Sequence, residues 1–453
     1  MEERSLLKQR ICAAIDAAQG DIVDLGEAVL DQPELGFKEH ATAARVSAAL
    51  EGLGLSCQTG LALTGVRAYL PGSRPGPTVA LLGEMDALIV RDHPRADPVS
   101  GAAHACGHNA QIAGLFGAAL GLVRAEAARH LAGRVVFFAV PAEEYVEIEY
   151  RLGLVRQGLV AFPAGKPELV RLGHFDDVDM ALMVHTLSPE PTDGPVGVAV
   201  SSNGFVAKTV RFVGRAAHAG GAPEKGANAL SAATLAIAAI NAQRETFRDQ
   251  DCVRVHPIIT RGGDLVNIIP ADVRLETYVR GRTQEAIVDA AAKVDRSLKG
   301  AAMALGCTVE IDTAPGYLPL RNDAELAGLF RANAEELFGA GSFRDYPHGG
   351  GSTDAGDLSH LMPLLHPAMA GAAGAVHGPD WRIADPQAAY LCPAKALAMT
   401  VVDLLWDGAG QARRVLAHSR PPLSRGQYLE QLQGLFSRQV FPEAGGAAPR
   451  PQQ

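Results

Sequence analysis

The sequence of 453 residues predicts an α/β fold in which a mostly parallel sheet is covered by helices. A second, ferredoxin-like α+β domain is predicted to be inserted into this first domain. One observation behind the prediction is a set of continuous apolar strand runs alternating with helical segments, typical of sheets buried on both faces. The other is a strand-helix-strand-strand-helix-strand order in the middle of the chain.

The first domain begins with two segments of helical periodicity, residues 5–31 and 39–53. Buried strands are predicted at 78–82, 134–140 and 179–184, and a helix within 109–131 separates the first two strands. The second domain is predicted from strands at 205–213, 253–260, 272–280 and 308–313 and from helices at 226–247 and 284–305.

These elements predict a discontinuous first domain, residues 1–197 and 316–440, around an inserted domain of residues 198–315. The last residues, 441–453, are rich in Pro, Gly and Ala, and we expect them to be disordered.

The composition is that of a globular protein, with 47% apolar residues, 20% charged residues and a net charge of −9. This charge gives no electrostatic reason to expect nucleic-acid or membrane partners. There is no apolar run of 18 residues and no signal-peptide core. The six cysteines show no paired spacing, which predicts a reducing, cytoplasmic location.

Polar residues with metal-binding side chains follow the predicted strands. Cys106 and His108 can reach one ion if the segment is extended, because residues two apart then point the same way. Glu143 and Glu144 end the second strand, so one can bind a metal while the other acts as a base. His185 ends the third strand, at the sheet edge where open α/β folds bind ligands.

Each of these residues taken singly is more often structural: a packed cysteine, a solvated glutamate, or a hydrogen-bonded core histidine. Their joint placement after predicted strands favours a metal site. His377, in the Gly- and Ala-rich segment 370–379, is a further candidate ligand that a loop can bring close.

Several motifs then occur in a familiar order. They are Gln32-Pro33-Glu34-Leu35-Gly36-Phe37, Gly83-Glu84-Met85-Asp86-Ala87-Leu88, His104-Ala105-Cys106-Gly107-His108, Pro141-Ala142-Glu143-Glu144 and Val184-His185. In these motifs the chain resembles the aminoacylase/glutamate carboxypeptidase family of metallopeptidases, and most of all its amidohydrolase branch. The resemblance implies a catalytic domain, an inserted dimerisation ("lid") domain, and hydrolysis of N-acyl or N-aroyl amino acids.

By position, the resemblance implies that the metal ligands are Cys106, His108, Glu144, His185 and His377. It implies that Glu143 is the general base and that His218 steadies the oxyanion in the active site of a neighbouring protomer. His366 is the most serious competitor of His377, and His104, His348 and His360 are further competing histidines.

The resemblance also implies that Asn267 and Arg280 bind the substrate, with Arg280 suited to a carboxylate. The segment around Gly351 and Ser352 has consecutive glycines, whose backbone N–H groups can approach an anion. We therefore expect a small carboxylate-bearing substrate, one or two divalent transition-metal ions (Zn²⁺ or Mn²⁺), and a homodimer or higher homo-oligomer formed through the lid domain.

The chain departs from the family pattern at Asn109, at Gln111 and over Tyr145–Arg151. These changes adjoin the predicted site, so we expect them to influence specificity. They leave open a second hypothesis, a hydrolytic deaminase of an aminoaromatic acid such as a nitroanthranilate. A third hypothesis is a non-catalytic metal- or ligand-binding protein.

Overall fold

The computed structural model describes residues 2–190 and 193–442. The first part of the chain forms a helical layer and most of a sheet. Its helices are α1 (Glu2–Ala17), α2 (Gln19–Leu30), α3 (His40–Gly52), α4 (His108–Arg124), α5 (Ile148–Arg156) and α6 (Gly165–Arg171). Its strands are β1 (Cys57–Leu61), β2 (Gly65–Pro71), β3 (Arg74–Glu84), β4 (Leu88–Ile89), β5 (Ala102–Ala103), β6 (Ala132–Val140), β7 (Met180–Leu182), β8 (His185–Leu187) and β9 (Val196–Ala199).

The inserted part contains β10 (Gly204–Val213), α7 (Ala229–Ala242), β11 (Arg254–Val255), β12 (Ile258–Arg261), β13 (Asp272–Gly281), α8 (Gln284–Ala304) and β14 (Thr308–Pro315). The last part contains α9 (Ala324–Phe338), β15 (Phe343–Tyr346), α10 (Ala355–Ser359), β16 (Leu364–Leu365), β17 (Ala368–Ala370), β18 (Ala372–Ala373), β19 (Arg382–Ile383), α11 (Cys392–Leu405), α12 (Gly410–His418), α13 (Arg425–Gly434) and β20 (Ser437–Phe441).

The main sheet has the strand order β1-β2-β6-β3-β7-β16, and its four strands from β6 to β16 are parallel. Successive residues of β6 face opposite cores: Val135 and Phe137 pack under α4 and α11, whereas Val136 and Phe138 pack on the side of α6 and α13. Burial on both faces explains why this strand is a continuous apolar run.

The inserted sheet is antiparallel, in the order β11-β13-β10-β14-β20, with β12 also beside β13. Helices α7 and α8 cover one face and contribute to a separate core. Along the chain, the order β10, α7, β11 with β12, β13, α8 and β14 is ferredoxin-like, and β20 adds a further edge strand. The predicted fold class, an α/β domain with an inserted α+β domain, is confirmed.

Three details differ from the predictions. The helix predicted over 5–31 is two helices that meet at Ala18, and the strand predicted over 253–260 is interrupted at Pro257, which has no N–H for pairing. Strand β20, predicted to lie in the first domain and its tail, pairs with β14 along the edge of the inserted sheet. The remainder of the predicted tail, residues 443–453, lies outside the described residues.

One helical stretch among the described residues, Gln387–Leu405, is long and apolar enough to cross a membrane. It packs against α4 and α1, and 89% of it is buried inside the protein. It is therefore a core helix of the first domain.

Candidate metal centre

The candidate site lies where neighbouring strands of the main sheet end. Strands β6, β3 and β7 are parallel neighbours, so their carboxyl ends share one edge of the sheet. Glu84 is the last residue of β3, the pair Glu143-Glu144 follows β6, and His185 begins the strand after β7. The sheet topology brings these side chains to one place.

Cys106 and His108 reach this edge through a glycine turn and not through an extended segment. Gly107 has a φ of 97°, in the left-handed region, and it caps the start of α4. A Cβ atom at residue 107 would lie 2.8 Å from the Cβ of Thr186. Both the backbone conformation and the space therefore require glycine between the thiol and the imidazole.

The five predicted ligands fall in two groups that share Cys106, and a third group joins His108 to Glu84 and Glu143. Possible ligand atoms of Cys106, His108 and His185 lie within 4.8 Å of one another, and so do those of Cys106, Glu144 and His377. The Cys106 Sγ atom lies 3.3 Å from His185 Nε2, and His377 Nε2 lies 3.4 Å from Glu144 Oε1. Because Cys106 belongs to two of these groups, these side chains can hold either one ion or two ions.

The polar atoms of these groups fit a cation. The Nδ1 atom of His108 lies 2.8 Å from the carbonyl oxygen of Asp86, which leaves His108 Nε2 for a metal. This Nε2 atom and Glu144 Oε1 are buried without a hydrogen-bond partner. Buried polar atoms without partners are costly, and thiol, imidazole and carboxylate donors together suit a transition metal.

The competing histidines lie outside both groups. The ring centroid of His366 lies 5.8 Å from that of His185, and His366 lines the same cavity, as does His348. His377, in contrast, donates its backbone N–H to the carbonyl of Ala105, 2.8 Å away, which ties its loop to the Cys106 segment. His104, His348 and His360 also belong to neither group.

Glu143 and Glu144 have different electrostatic surroundings. Burial, reinforced by the charges of Glu84 and Glu144, raises the pKa of Glu143 well above its usual value. Burial also acts on Glu144, but the nearby imidazole of His377 lowers the pKa of this carboxyl to about 2. Neighbouring carboxyls that are pushed apart in this way suit different roles, one as a proton acceptor and donor and one as an ionised ligand.

A cavity of about 580 Å³ opens beside these residues, and Glu143, Gly351 and Ser352 line it. Arg280, on strand β13 of the inserted sheet, reaches this wall and donates from Nη1 to Ser352 Oγ at 3.0 Å. Its guanidinium also lies over the rings of Phe205 and Tyr278. Of the predicted substrate-binding residues, Gly351 and Ser352 line the cavity, and Arg280 lies behind this wall in contact with Ser352.

Two predicted residues are not brought there. His218 and Asn267 are exposed on the inserted domain, and neither lines the cavity. They lie close to each other, because His218 is bridged to Ile268, and its Nδ1 accepts hydrogen bonds from the N–H groups of Gly220 and Gly221.

The expectation that Asn109 and Gln111 influence specificity finds no support in their positions. Both are buried and neither lines the cavity. Asn109 donates to the Tyr390 hydroxyl at 3.1 Å, and Gln111 donates to Glu84 Oε2 at 2.7 Å. Both side chains are thus used in contacts inside the protein and do not face the cavity.

A buried charge network behind the site was missed by the sequence analysis. The Lys166 side chain is 0% exposed, and its Nζ lies 2.5 Å from Glu84 Oε1 and also contacts Asp354. Glu84 in turn lies 3.1 Å from His108 Nε2. Glu84 belongs to a motif noted in the sequence, but nothing in the sequence around Lys166 distinguishes it from a surface lysine.

Comparison with known proteins places this geometry in context. Residues 80–400 match the model of the family described as peptidase family M20/M25/M40. The chain is 30% identical to the Xaa-Arg dipeptidase of Mus musculus over 432 residues, which span 90% of this chain and 91% of the relative.

The chain is also 30% identical over 319 residues to a component of the p-aminobenzoyl-glutamate hydrolase of Escherichia coli, covering 68% of this chain and 61% of the relative. Among solved structures, it resembles the Bacillus subtilis YXEP protein, a dinuclear metal-binding peptidase of the M20 family. The TM-score is 0.62 at 22% identity, with 86% of this chain and 99% of that chain covered.

Proposed function

This chain belongs to the peptidase family M20/M25/M40, and from that premise we propose that it hydrolyses the amide bond of N-acyl or N-aroyl amino acids with a bound metal. The observation that carries the proposal is the pair Glu143-Glu144 at the cavity. Both carboxyls line the cavity and belong to possible ligand groups, but the pKa of Glu143 is raised whereas that of Glu144 is lowered. The relative named for p-aminobenzoyl-glutamate hydrolysis supports this substrate class.

The proposed metal-holding residues are Cys106, His108 and His185 for one ion, and Cys106, Glu144 and His377 for a second. When bound there, a divalent transition metal supplies Lewis acidity, which polarises a carbonyl and makes water more acidic. The thiol and the imidazoles suit zinc, and the carboxylate is a ligand type that also suits manganese. All six cysteines are free in the structure, which supports a reducing cytoplasmic location that keeps Cys106 available.

Glu143 acts in this proposal as the general base and then as the general acid. Its carboxylate takes a proton from the attacking water and afterwards delivers that proton to the leaving amine. The raised pKa of Glu143 favours holding this proton between the two steps. Its place at the cavity wall lets the carboxyl reach a bound substrate.

Arg280 binds the substrate carboxylate in this proposal. Within residues 2–190 and 193–442 it has no carboxylate partner, and the one side-chain hydrogen bond that it donates goes to Ser352, so its charge is available for an anion. Ser352 holds the guanidinium at the cavity, and the neighbouring backbone at Gly351 can approach a ligand closely. A small substrate that bears a carboxylate fits this wall.

His218 and Asn267 fit the proposal only if a second copy of the chain is present. They lie on an exposed part of the inserted domain where apolar side chains face solvent, including Val266 at 104%, Leu265 at 60% and Ile258 at 59% relative exposure. Such exposed apolar residues are typical of an interaction surface. We therefore propose a homodimer, or a higher homo-oligomer, in which this loop completes the partner's site.

The deaminase hypothesis gains no specific support. It was motivated by Asn109, Gln111 and Tyr145, and the first two are buried behind the site. The Tyr145 hydroxyl donates to the carbonyl of Pro315 and does not line the cavity.

The proposal is tested with zinc-loaded and manganese-loaded protein on three substrates: N-(4-aminobenzoyl)glutamate, a dipeptide ending in arginine, and an aminoaromatic acid. We expect amide cleavage with release of a free amino acid. Glu143→Gln is expected to lower kcat by at least about 100-fold, the lower end of general acid–base contributions. Its metal content is expected to stay that of the wild type.

Glu126→Gln, at a glutamate side chain that is 54% exposed, is the matched control and should keep full activity. Full turnover by metal-loaded Glu143→Gln would contradict the proposed role of Glu143. Ammonia release from the aminoaromatic acid without amide cleavage would favour the deaminase instead. A metal-loaded protein inert on all three substrates would favour a binding protein.

A further inference from the structure

The loop that carries Glu143 and Glu144 is held by side chains and not by a strand or a helix. It joins β6 to α5, and Ala142 adopts a left-handed φ of 57° within it. All five successive carbonyl oxygens from residue 142 to residue 146 accept hydrogen bonds from side chains. The donors belong to only three residues, Arg151, Tyr278 and Tyr317.

Arg151 serves three of these carbonyls. Its Nη1 donates to Ala142 O at 3.0 Å, its Nε donates to Val146 O at 2.8 Å, and its Nη2 donates to Glu144 O. The Arg151 side chain is 1% exposed, so water does not compete for these bonds. A planar guanidinium with five N–H groups is the side chain that can serve several carbonyls at once.

The surroundings of Arg151 are built to hold it. Its guanidinium lies between the rings of Phe37 and Tyr145, 5.3 Å and 5.5 Å from their centroids. A Cβ atom at Gly36 would come within 2.2 Å of Arg151 Nη2, so only glycine leaves space for the guanidinium there. Gly36 and Phe37 therefore belong to a pocket for Arg151.

The other two donors come from the inserted domain or its junction. Tyr278 lies on β13 and donates its hydroxyl to the carbonyl of Tyr145. Tyr317 follows β14 and donates to the carbonyl of Glu143. The Tyr145 hydroxyl makes a reciprocal bond to Pro315 O at 2.8 Å, so the loop and the inserted sheet are bound to each other.

We propose that Arg151, Tyr278 and Tyr317 form a carbonyl clamp, a set of positioning residues that places Glu143 and Glu144 for their roles at the site. Tyr317 bonds the peptide of Glu143 and acts on the base, whereas Arg151 bonds the peptide of Glu144 and acts on the ligand. Because Tyr278 and Tyr317 belong to the inserted domain and its junction, the placement of the two glutamates depends on the placement of that domain. The proposal rests on the proposed function through the role of Glu143 as the base and of Glu144 as a metal ligand.

Substitutions of Tyr317 and of Arg151 are expected to have different effects, the first on kcat and the second on Zn²⁺ affinity. Tyr317→Phe removes one hydroxyl and keeps the ring, and we expect kcat to fall about 10- to 100-fold, as small misplacements of reacting groups do. KM and Zn²⁺ affinity should stay near the wild-type values. Arg151→Lys keeps the charge but cannot serve three carbonyls, and we expect its Zn²⁺ affinity to fall about 10- to 100-fold, as for other residues that orient metal ligands.

Tyr428→Phe is the matched control. Tyr428 is fully buried, and its hydroxyl donates to Asp357 Oδ1 at 3.0 Å, away from the Glu143-Glu144 loop. The Tyr428→Phe variant therefore loses one buried hydrogen bond, as Tyr317→Phe does. The measurements are kcat and KM, the Zn²⁺ dissociation constant by chelator competition, and the thermal midpoint.

A Tyr317→Phe variant that loses kcat while Tyr428→Phe with an equal loss of thermal stability keeps it supports the clamp. Equal kcat values in these two variants, together with wild-type Zn²⁺ affinity in Arg151→Lys, would overturn it. If the wild-type protein hydrolyses none of the substrates, the proposed function fails. The Zn²⁺ affinity of Arg151→Lys still tests the clamp in that case.

Discussion

Replacing Lys166 by methionine is expected to destabilise the protein by about 3–5 kcal/mol, the cost of removing one partner from a buried ion pair. The side chains of Lys166, Glu84 and Asp354 are 0%, 1% and 0% exposed. Methionine fills a similar volume, so the main change is the loss of the positive charge. The buried carboxylates of Glu84 and Asp354 then lose the ammonium group that contacts both of them.

The loss should depend on pH. Burial alone raises the pKa of Glu84, but the charges of Lys166, His108 and His366 together hold this pKa below its usual value. Burial already raises the pKa of Asp354 to about 6, and Lys166 opposes this rise. Removing Lys166 raises both folded-state pKa values, so the variant loses stability relative to the wild type as pH rises. The deficit of Lys166→Met should therefore be larger at pH 8 than at pH 5.

Urea unfolding at pH 8 and pH 5, on metal-free and zinc-loaded protein, measures this deficit. Lys208→Met is the matched control: this lysine is also buried, but its partner Asp295, 2.7 Å away, is 14% exposed. Lys208→Met should lose less stability and keep the Zn²⁺ affinity of the wild type. Adding Asp354→Asn to Lys166→Met should recover part of the loss. A Lys166→Met protein with wild-type midpoints at both pH values would refute the reasoning.

Three further outcomes are expected. Cys106→Ala should lower the bound zinc per chain, measured by elemental analysis after dialysis, more than His377→Ala does, because Cys106 belongs to two ligand groups and His377 to one. Equal losses would contradict a shared thiol. Burial, with the charge of Asp86, raises the pKa of Glu39 to about 7 from 4.5, so its protonated form stabilises the fold at low pH and this contribution is lost as pH rises through 7. Glu39→Gln should thus raise the melting temperature relative to wild type at pH 8 and not at pH 5, and an equal change at both would argue against it. Val266→Asp, at a side chain that is 104% exposed, should shift the protein from dimer to monomer in sedimentation without lowering its melting temperature, whereas an unchanged oligomer would exclude this loop from the interface.

Helices and strands were predictable where their burial gives the sequence a regular apolar pattern. Strand β6 reads as a continuous apolar run because both of its faces are covered, and β13 alternates because one of its faces packs on α7 and α8. Edge pairing was not predictable in this way. Strand β20 has exposed and half-buried residues only, so its sequence carries no apolar pattern. Its pairing with β14 depends on the path by which the C-terminal part of the chain reaches the inserted sheet.

The candidate ligands were predictable because their residue types are rare together and follow strand ends. Their surroundings were not predictable, because these come from distant parts of the chain. Asn109 and Gln111 lie within three residues of His108 in sequence, yet their side chains bond Tyr390 and Glu84 and do not line the cavity. Lys166 lies far from Glu84 and Asp354 in sequence, and only the fold makes it a buried cation.

The sequence by itself determined the α/β class, the inserted domain and a set of thiol, imidazole and carboxylate side chains at strand ends, because periodicity and residue chemistry are local properties. The tertiary structure alone decided that His377 rather than His366 joins Cys106 and Glu144, and that Arg151, Tyr278 and Tyr317 hold the Glu143-Glu144 loop. Which loop faces which, and which donor meets which carbonyl, depends on packing between segments that are far apart along the chain.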